Sequence, residues 1–388
     1  DSSGISDQLS SGVKKIYSTN YSFVALKNDG SVVTWGFDKK AGQIDYLWGP
    51  WSSNGENGNS NVLESGVSKV CTISDGYFAA IKTDGSVVVW GWGAPGVWLQ
   101  EQDPDVIRFV EISDQLSSGV INIFSTGRAA AALKSDGSVV TWGEKISGGD
   151  SNSVISQISS DVISISANAY AFAALKSDGS VVTWGGDARG GDSSLVSDHL
   201  SSGVQKIYGS RDTFAALKND GSVITWGYDS FGGNSSSVAN KITNKSHSDF
   251  SAVTDISATG SAFAALKSDG SLITWGNASN GGNSTSVAND LNGTTDITKV
   301  FSTNTAFAAI NTNNKVITWG YGAYGGDSSS ITSLINGTLD SDCVTTAASV
   351  SANGTFNINK QSFNKSHNRK DYLTHSFDFN FSPASGLL

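Results

Sequence analysis

Residues 172–185 read F-A-A-L-K-S-D-G-S-V-V-T-W-G, and this stretch decides the fold because related stretches occur seven times in the 388-residue chain. Successive copies lie 42 to 55 residues apart. A motif that recurs at such a period indicates a repeat architecture, in which each unit buries its apolar faces only by stacking on its neighbours. The copies begin at Phe23, Phe78, Ala130, Phe172, Phe214, Phe263 and Phe307.

Each copy predicts a β-hairpin. Its two arms, 172–175 and 181–184 in the fourth copy, are short and rich in β-branched and aromatic residues. The Asp-Gly between the arms supplies the positive φ of a tight turn. Six copies keep Asp-Gly, and the seventh has Asn313-Asn314, which tolerates the same backbone.

Other elements of the repeat complete a larger unit. The pattern V-x-x-I precedes each hairpin and predicts a further strand, and the later copies continue into a Gly-Gly-Asp or Gly-Gly-Asn turn. The Ser-rich run after that turn leaves room for a short outer strand. Three to four strands in about 42 to 50 residues match a β-propeller blade. We therefore predict an all-β, seven-bladed β-propeller over residues 13–344, with the repeat tryptophans in its core.

The repeat resembles that of the regulator of chromosome condensation family. The residues that carry the resemblance are D-G-S-V-V-T-W-G in the repeats and W-G-F-D-K-K-A-G-Q at 35–43, and it extends over about residues 12–330. The resemblance implies a seven-bladed β-propeller. The usual family His before the A-A-L arm is absent from every copy, and the G-Q ending survives only in the first. Guanine-nucleotide exchange on a small GTPase, the activity of the founding member, is therefore a remote alternative.

Charge and composition limit the classes of binding partner that this chain is expected to have. The formal net charge is −10 and the pI is near 4.8, which argues against a basic face for nucleic acid or anionic membrane. No apolar run approaches the roughly 18 residues of a membrane-spanning helix. The chain has no Met, so we expect a processed or excerpted product. The expected partners are a protein or further copies of the chain, with carbohydrate as another candidate.

Asparagine-rich loops favour an extracellular or cell-surface protein. Few Lys and Arg, abundant Ser, Asn and Gly, and nine N-x-S/T sequences fit that location. The alternative is that such loops generate these sequences by chance and leave them unmodified. The candidate glycosylation sites are Asn20, Asn234, Asn244, Asn277, Asn283, Asn292, Asn336, Asn353 and Asn364.

Catalytic motifs are not found. The four His residues lie in linkers or the tail without metal-ligand spacing, and each Asp-Gly supplies only one carboxylate, too few for a calcium loop. No Ser lies in a G-x-S-x-G elbow, and no phosphate-binding loop is present. We expect a protein that is not an enzyme and has no cofactor or metal.

Two insertions follow the first two repeats, at 37–63 and 91–109, and are rich in aromatic residues. Because they occupy equivalent places in consecutive blades, we expect them to emerge side by side. They form either an exposed binding patch or a cover for a blade edge. The candidate binding residues are Tyr46, Trp48, Trp51, Trp92 and Trp98.

The two cysteines are candidates for one disulfide. Cys71 ends the V-x-x-I strand of the second repeat, and Cys343 lies where an eighth such strand would begin. Ring closure could bring them together.

The ends of the chain differ from the repeats. Residues 1–12 are expected to be a linker, and 345–388 a C-terminal extension of extra strands. In the extension, alternating Phe residues predict a strand that pairs either with its own propeller or with the sheet edge of another copy. A basic island precedes it and could meet an acidic neighbour. The candidate assembly residues are Phe377, Phe379, Phe381, Lys360, Lys365, Arg369 and Lys370.

Two functions fit these observations. The first is a non-catalytic extracellular module that provides protein interactions or structure in a cell surface, adhesin or appendage assembly. The second is a secreted protein that binds or inhibits one enzyme through a face of the propeller. Oligomeric state separates them, because a polymer supports the first function and a monomer that captures a single protein supports the second.

Overall fold

Seven antiparallel sheets follow one another along the chain, one for each repeat. They are seen in a computed structural model that describes residues 3–19, 22–36, 47–48, 63–74, 77–91, 106–107 and 112–331. Apolar clusters join each sheet to the next, from the first to the seventh. The fold is a seven-bladed β-propeller, as the repeat predicts. The C-terminal extension lies outside the described residues.

Among the described residues, five blades have three strands and two have four. In the first three blades the strands are β1 (Val13–Ser18), β2 (Ser22–Lys27), β3 (Val32–Gly36); β4 (Leu47–Trp48), β5 (Val67–Ser74), β6 (Tyr77–Lys82), β7 (Val87–Gly91); and β8 (Val106–Ile107), β9 (Val120–Ser125), β10 (Ala129–Lys134), β11 (Val139–Glu144). In the last four they are β12 (Val162–Ala167), β13 (Ala171–Lys176), β14 (Val181–Gly185); β15 (Val204–Gly209), β16 (Thr213–Lys218), β17 (Val223–Gly227); β18 (Val253–Ala258), β19 (Ala262–Lys267), β20 (Leu272–Gly276); and β21 (Ile297–Ser302), β22 (Ala306–Asn311), β23 (Val316–Gly320).

Helical turns connect the blades. The α-helical turns are α1 (Ser6–Leu9), α2 (Ser197–Leu200) and α3 (Ala239–Ile242). The 3-10 turns are Ser3–Ile5, Ser113–Leu116, Lys145–Ser147, Asn152–Val154, Asp187–Arg189, Ser194–Val196, Asp229–Phe231, Ser236–Val238, Ala278–Asn280, Thr285–Asp290, Gly322–Tyr324 and Ser329–Ile331. Residues 3–9, expected to be a linker, are therefore helical and precede β1 as Ser113–Leu116 precedes β9.

The outer strands differ from the expectation. In the fourth blade the Ser-rich run forms a 3-10 turn, because the Asp192 carboxylate accepts a hydrogen bond from the Ser194 backbone N–H at 2.8 Å and begins that turn. The fourth strands of the second and third blades come instead from the insertions. Leu47–Trp48 pairs with β7, and Val106–Ile107 pairs with β11.

The hairpins form as predicted. In the fourth blade Leu175 pairs with Val181, and Gly179 has a φ of +80° in the turn between them. Asn314 takes the corresponding position in the seventh blade with a φ of +60°. The same register places each repeat Phe opposite the repeat Trp, as in the Phe172–Trp184 pair.

Stacked Phe–Trp pairs lie where neighbouring blades meet. Six blades have such a pair with ring centroids 5.2 to 5.6 Å apart, and Ala130 replaces the Phe in the third. The Trp184 Nε1–H donates a hydrogen bond to the Gly148 carbonyl of the preceding blade at 3.0 Å. A Cβ on Gly148 would lie 2.6 Å from the Phe172 ring, so only glycine fits. The same contact recurs at Trp226, Trp275 and Trp319.

Backbone hydrogen bonds join the third to seventh blades to one another at both ends of their first strands. At one end, the Val204 N–H donates to the Gly179 carbonyl in the preceding hairpin turn at 3.0 Å, and equivalent bonds occur at the other five junctions between consecutive blades. At the other end, the Ala169 N–H donates to the Arg211 carbonyl of the next blade at 3.0 Å. Each blade is therefore fixed to its neighbour by main-chain contacts that do not depend on side-chain identity.

We expect Trp184→Ala to lower the free energy of unfolding by about 3 to 5 kcal/mol, because it empties a buried ring site and removes the bond to Gly148. Leu195→Ala, at an almost fully exposed residue of the same blade, is the matched control and should change little. Chemical denaturation monitored by fluorescence measures both. Equal stabilities of the two variants would contradict the core assignment of the repeat Trp.

The turn aspartates act as local hydrogen-bond acceptors. The Asp178 Oδ1 accepts from the Ser180 backbone N–H at 2.8 Å and from the Ser180 hydroxyl at 2.6 Å. The hydroxyl bond is the largest of the effects that lower the pKa of Asp178, followed by the backbone bond. Equivalent serines lower the pKa values of Asp29, Asp84 and Asp136 in the same way.

We expect the propeller to lose stability in acid. A carboxyl whose folded pKa is lowered stabilises the fold above its unfolded pKa, about 3.9 for Asp, and this contribution disappears as the pH falls below that value. Thermal melting measured at steps from neutral pH down to strong acid should show the loss below about pH 4. A variant with Asn at the six turn aspartates should show a smaller loss, and an equal loss would contradict this origin.

Candidate functional site

Most of the predicted binding residues lie outside the described part of the chain. This holds for Tyr46, Trp51, Trp92 and Trp98. Trp48 is described through its backbone, which pairs with Val89 at the outer edge of the second blade. The prediction of an aromatic patch on the insertions therefore stays a prediction, although at this strand the first insertion covers a blade edge.

The assembly residues of the tail also lie outside the described residues. They are Phe377, Phe379, Phe381, Lys360, Lys365, Arg369 and Lys370. The proposed pairing of this segment with a sheet edge stays a prediction.

The disulfide prediction stays a prediction, because only one of its two cysteines lies in the described part of the chain. Cys71 is a free thiol, buried beside Ile123 and Trp142 of the third blade. Burial raises the pKa of this thiol. A bond to Cys343, which lies outside the described residues, would require that residue to enter the packed cluster between the second and third blades.

The described sequon asparagines form turns. In each of the five, the side-chain oxygen accepts a hydrogen bond from the backbone N–H of the Ser or Thr two residues on, as Asn234 does from Ser236 at 2.9 Å. Asp192 makes the same bond in the fourth blade, where an Asp cannot carry a glycan. Turn formation is therefore sufficient to explain why Asn occurs at these positions, and glycosylation is not needed to explain it. The other members of this group are Asn244, Asn277, Asn283 and Asn292; Asn20, Asn336, Asn353 and Asn364 lie outside the described residues.

The turns between first and second strands form a continuous backbone scaffold on one face of the propeller. Hydrogen bonds run from the Gly127 N–H to the Ala169 carbonyl, from Ala169 to Arg211, from Arg211 to Gly260, and from Gly260 to Asn304. These bonds are 2.8 to 3.3 Å long. In the third to seventh blades the segment after the Trp-Gly pair bonds back to the same turns, so its side chains are held on this face.

Aromatic side chains project from this scaffold in the fifth and seventh blades. Tyr321 stacks on Tyr324 with ring centroids 5.4 Å apart, and Tyr324 is 67% exposed. Tyr228 meets Phe231 edge-on at 5.1 Å. Both pairs are spaced i, i+3 over a 3-10 turn, a spacing that places two side chains on the same side. These four residues, with half-buried Tyr170, are here called the aromatic face.

This face was not predicted from the sequence, although a signal for it exists. Two repeats read W-G-Y-x-x-[F/Y]-G-G, at 226–233 and 319–326, whereas the other repeats place other residues at these two positions. The signal is weak because the Trp-Gly and Gly-Gly pairs recur in these repeats, whereas the residues at the two aromatic positions between them differ from repeat to repeat.

A charged cluster supports the aromatic face between the fourth and fifth blades. The Arg189 guanidinium donates a short hydrogen bond to the Asp212 carboxylate, whose side chain is 1% exposed. Arg211 Nε lies 3.6 Å from the other carboxylate oxygen. The guanidinium also lies 4.4 Å from the Tyr170 ring centroid and 5.8 Å from that of Tyr228.

The electrostatics of this cluster favour the charged pair. Partial burial alone would lower the pKa of Arg189, but the hydrogen bond and negative charge of Asp212 outweigh it and raise that pKa. The cluster therefore holds two tyrosines of the aromatic face against a fixed cation. Its position at a blade junction indicates that it also aligns the two blades.

Grooves run between the outer parts of neighbouring blades. One of about 540 Å³ lies between the fourth and fifth blades and is lined by Asp192, Leu195, His199, Thr225 and Trp226, among others. A similar groove of about 560 Å³ lies between the fifth and sixth. Within the described ranges, no group of three or more His, Cys, Asp or Glu side chains is placed to hold a metal ion. No helix in that part of the chain is long and apolar enough to span a membrane.

Comparison with known proteins adds only distant similarities. No protein-family model matches the chain, and a search of curated proteins finds no match. Among solved structures, the chain is similar to the CRINKLY WD40 ectodomain of the receptor kinase ACR4 from Arabidopsis thaliana, with 17% identity over 80% of this chain and 98% of that one, at a TM-score of 0.37. It is also similar to yeast RCC1 (Prp20) in its complex with Kap60, with 15% identity over 68% of this chain and 70% of that one, at a TM-score of 0.38.

A third similarity is to the ectodomain of the receptor kinase CR4 from Physcomitrella patens, with 11% identity over 80% of this chain and 74% of that one, at a TM-score of 0.37. At such identities and TM-scores, these likenesses transfer no function to this chain. The class of protein is defined by its own seven sheets.

We expect Arg189→Leu to lower the free energy of unfolding by about 1.5 to 3 kcal/mol, because it leaves a buried carboxylate without its charged hydrogen bond. Arg128→Leu is the matched control, since Arg128 pairs with Glu144 at 3.0 Å while 68% exposed and should contribute less than about 1 kcal/mol. Adding Asp212→Asn to Arg189→Leu should recover part of the loss. Equal effects of the two Arg variants in chemical denaturation would contradict a structural role for the cluster.

Proposed function

We propose that this chain is a non-catalytic extracellular β-propeller, which provides protein interactions or structure in a cell-surface, adhesin or appendage assembly. The aromatic face is its contact surface. The observation that carries this proposal is the presence of two aromatic pairs, Tyr228–Phe231 and Tyr321–Tyr324, on a scaffold fixed by backbone hydrogen bonds; all of these side chains except the half-buried Phe231 are exposed. Rigid, partly exposed aromatic residues are the side chains that most often anchor protein contacts.

Several features support this reading. Repeat propellers provide a broad rigid surface on which contact residues vary while the frame stays constant, as they do in these turns. The acidic net charge fits a protein partner better than nucleic acid. The repeat sequence resembles that of the regulator of chromosome condensation family and supports a propeller, while its departures from the family pattern disfavour the exchange activity.

The experiment tests location and contact surface separately. A membrane-impermeant biotin reagent on intact producing cells should label the protein. Chemical cross-linking on the same cells should then join it to a partner protein, identified by mass spectrometry. Tyr228→Ser combined with Tyr321→Ser should weaken this capture at least tenfold, since each anchor contributes on the order of 1 to 2 kcal/mol.

The control is Leu195→Ser, which removes an exposed apolar side chain outside the aromatic face and should leave capture unchanged. Labelling only after cell lysis would contradict the location. Equal capture by the tyrosine variant and the control would contradict the contact surface. Capture of one soluble enzyme by a strictly monomeric protein would favour the second candidate, a secreted binder or inhibitor acting through the same face.

A further inference from the structure

Four blade junctions share one geometry. A Gly-Gly turn lies beneath the Phe–Trp pair of the next blade, and the Trp Nε1–H donates to the turn carbonyl at 3.0 to 3.1 Å. The Phe of each such pair is at most 1% exposed. The junction therefore needs two parts, a turn on the trailing side of one blade and an aromatic pair on the leading side of the next. The four Phe residues are Phe172, Phe214, Phe263 and Phe307.

In the described part of the chain, the first blade has the aromatic part without a turn beneath it. Phe23 stacks on Trp35 at 5.4 Å, as in the other blades, but Phe23 is 45% exposed. Ile16 on the same side is 55% exposed, whereas its counterparts Ile165 and Ile207 are buried. This surface is here called the leading face.

The seventh blade has the turn, and no described residue supplies the aromatic part above it. A Cβ added to Gly325 would meet nothing within 4 Å, whereas one added to Gly281 would lie 2.5 Å from the Phe307 ring. Phe301, at the position from which Tyr208 contacts Asp255 of the next blade, is 54% exposed. Gly325 and Phe301 define the trailing face. No described residue lies within 4 Å of a Cβ added at Gly325, so Phe23 of the same chain does not cover this turn.

We propose that the trailing face of one copy binds the leading face of a second copy, with the Gly325 turn beneath Phe23 and Trp35. The parts are those of the four internal junctions, so the contact needs no new type of interaction. A contact between two different faces is heterologous, and when it does not close it builds an open filament. The proposal rests on the proposed function, for which it identifies the assembly contact as self-association.

The charges at the proposed contact make its strength depend on salt concentration. In the junction between the fifth and sixth blades, Lys206 Nζ lies 3.5 Å from the Asp255 carboxylate. The equivalent residues at the proposed contact are Lys299 and Lys15, which have like charges. Each copy also has a net charge of −10. Added salt screens both repulsions, so association should strengthen as salt is raised.

The test is sedimentation velocity of the full chain over a wide range of concentration and salt. The wild type should form assemblies that grow beyond two copies. Phe23→Asp removes the leading face and Phe301→Asp the trailing face, so each variant alone should be monomeric. An equimolar mixture of the two should form dimers and nothing larger, because each partner retains one intact face. Ile163→Asp, at an exposed residue of the fourth blade, is the control and should assemble as the wild type does.

A wild type that stays monomeric at every concentration and salt would overturn the proposal. If Phe23→Asp also lowered the melting temperature of that monomer, the chain itself would cover the leading face. Dimers formed by either single variant alone would overturn the head-to-tail pairing. Tyr228→Ser keeps both end faces and should assemble normally, so a failure of self-association is distinguishable from a failure of partner capture on cells.

Discussion

The structure depends on one close contact, in which a glycine turn lies beneath a stacked Phe–Trp pair of the next blade. A side chain at Gly148 or its equivalents would overlap the Phe ring, so the spacing between blades is set by the absence of a Cβ. The Trp nitrogen meets the turn carbonyl and satisfies a buried donor that would otherwise lose its bond to water. Packing and hydrogen bonding therefore specify the same spacing between neighbouring blades.

This contact separates the frame of the propeller from its surface. The frame consists of backbone bonds, glycine turns and apolar arms, which recur with little change. The two positions between Trp-Gly and Gly-Gly that carry Tyr228 and Phe231 in one blade carry Asn277 and Asn280 in the next. A repeat protein can vary such positions without loss of stability, because each blade depends mainly on its immediate neighbours. Contact surfaces of different chemistry can thus occupy one rigid support.

The same logic applies to the first and seventh blades. The blades between them have both faces covered by neighbours of matching shape, whereas these two each keep one exposed face that still has that shape. Repeat arrays ordinarily end in atypical units with a polar outer face. Phe23 is an ordinary repeat aromatic, stacked on Trp35 as in the internal blades, yet 45% of its surface is accessible. The exposure of Phe23 therefore reflects what lies beside the first blade, since the local structure of the blade is unchanged.

The sequence by itself determined the hairpins, their turns, the buried tryptophans and the number of blades, because these follow from short-range patterns repeated seven times. It did not determine the outer strands, which the insertions supply at Leu47–Trp48 and Val106–Ile107, since strand pairing between distant segments leaves no local signature. The Arg189–Asp212 pair, the aromatic face and the two end faces were decided only by the tertiary structure. Each depends on which residues of different blades come together, and that is a consequence of how the blades stack.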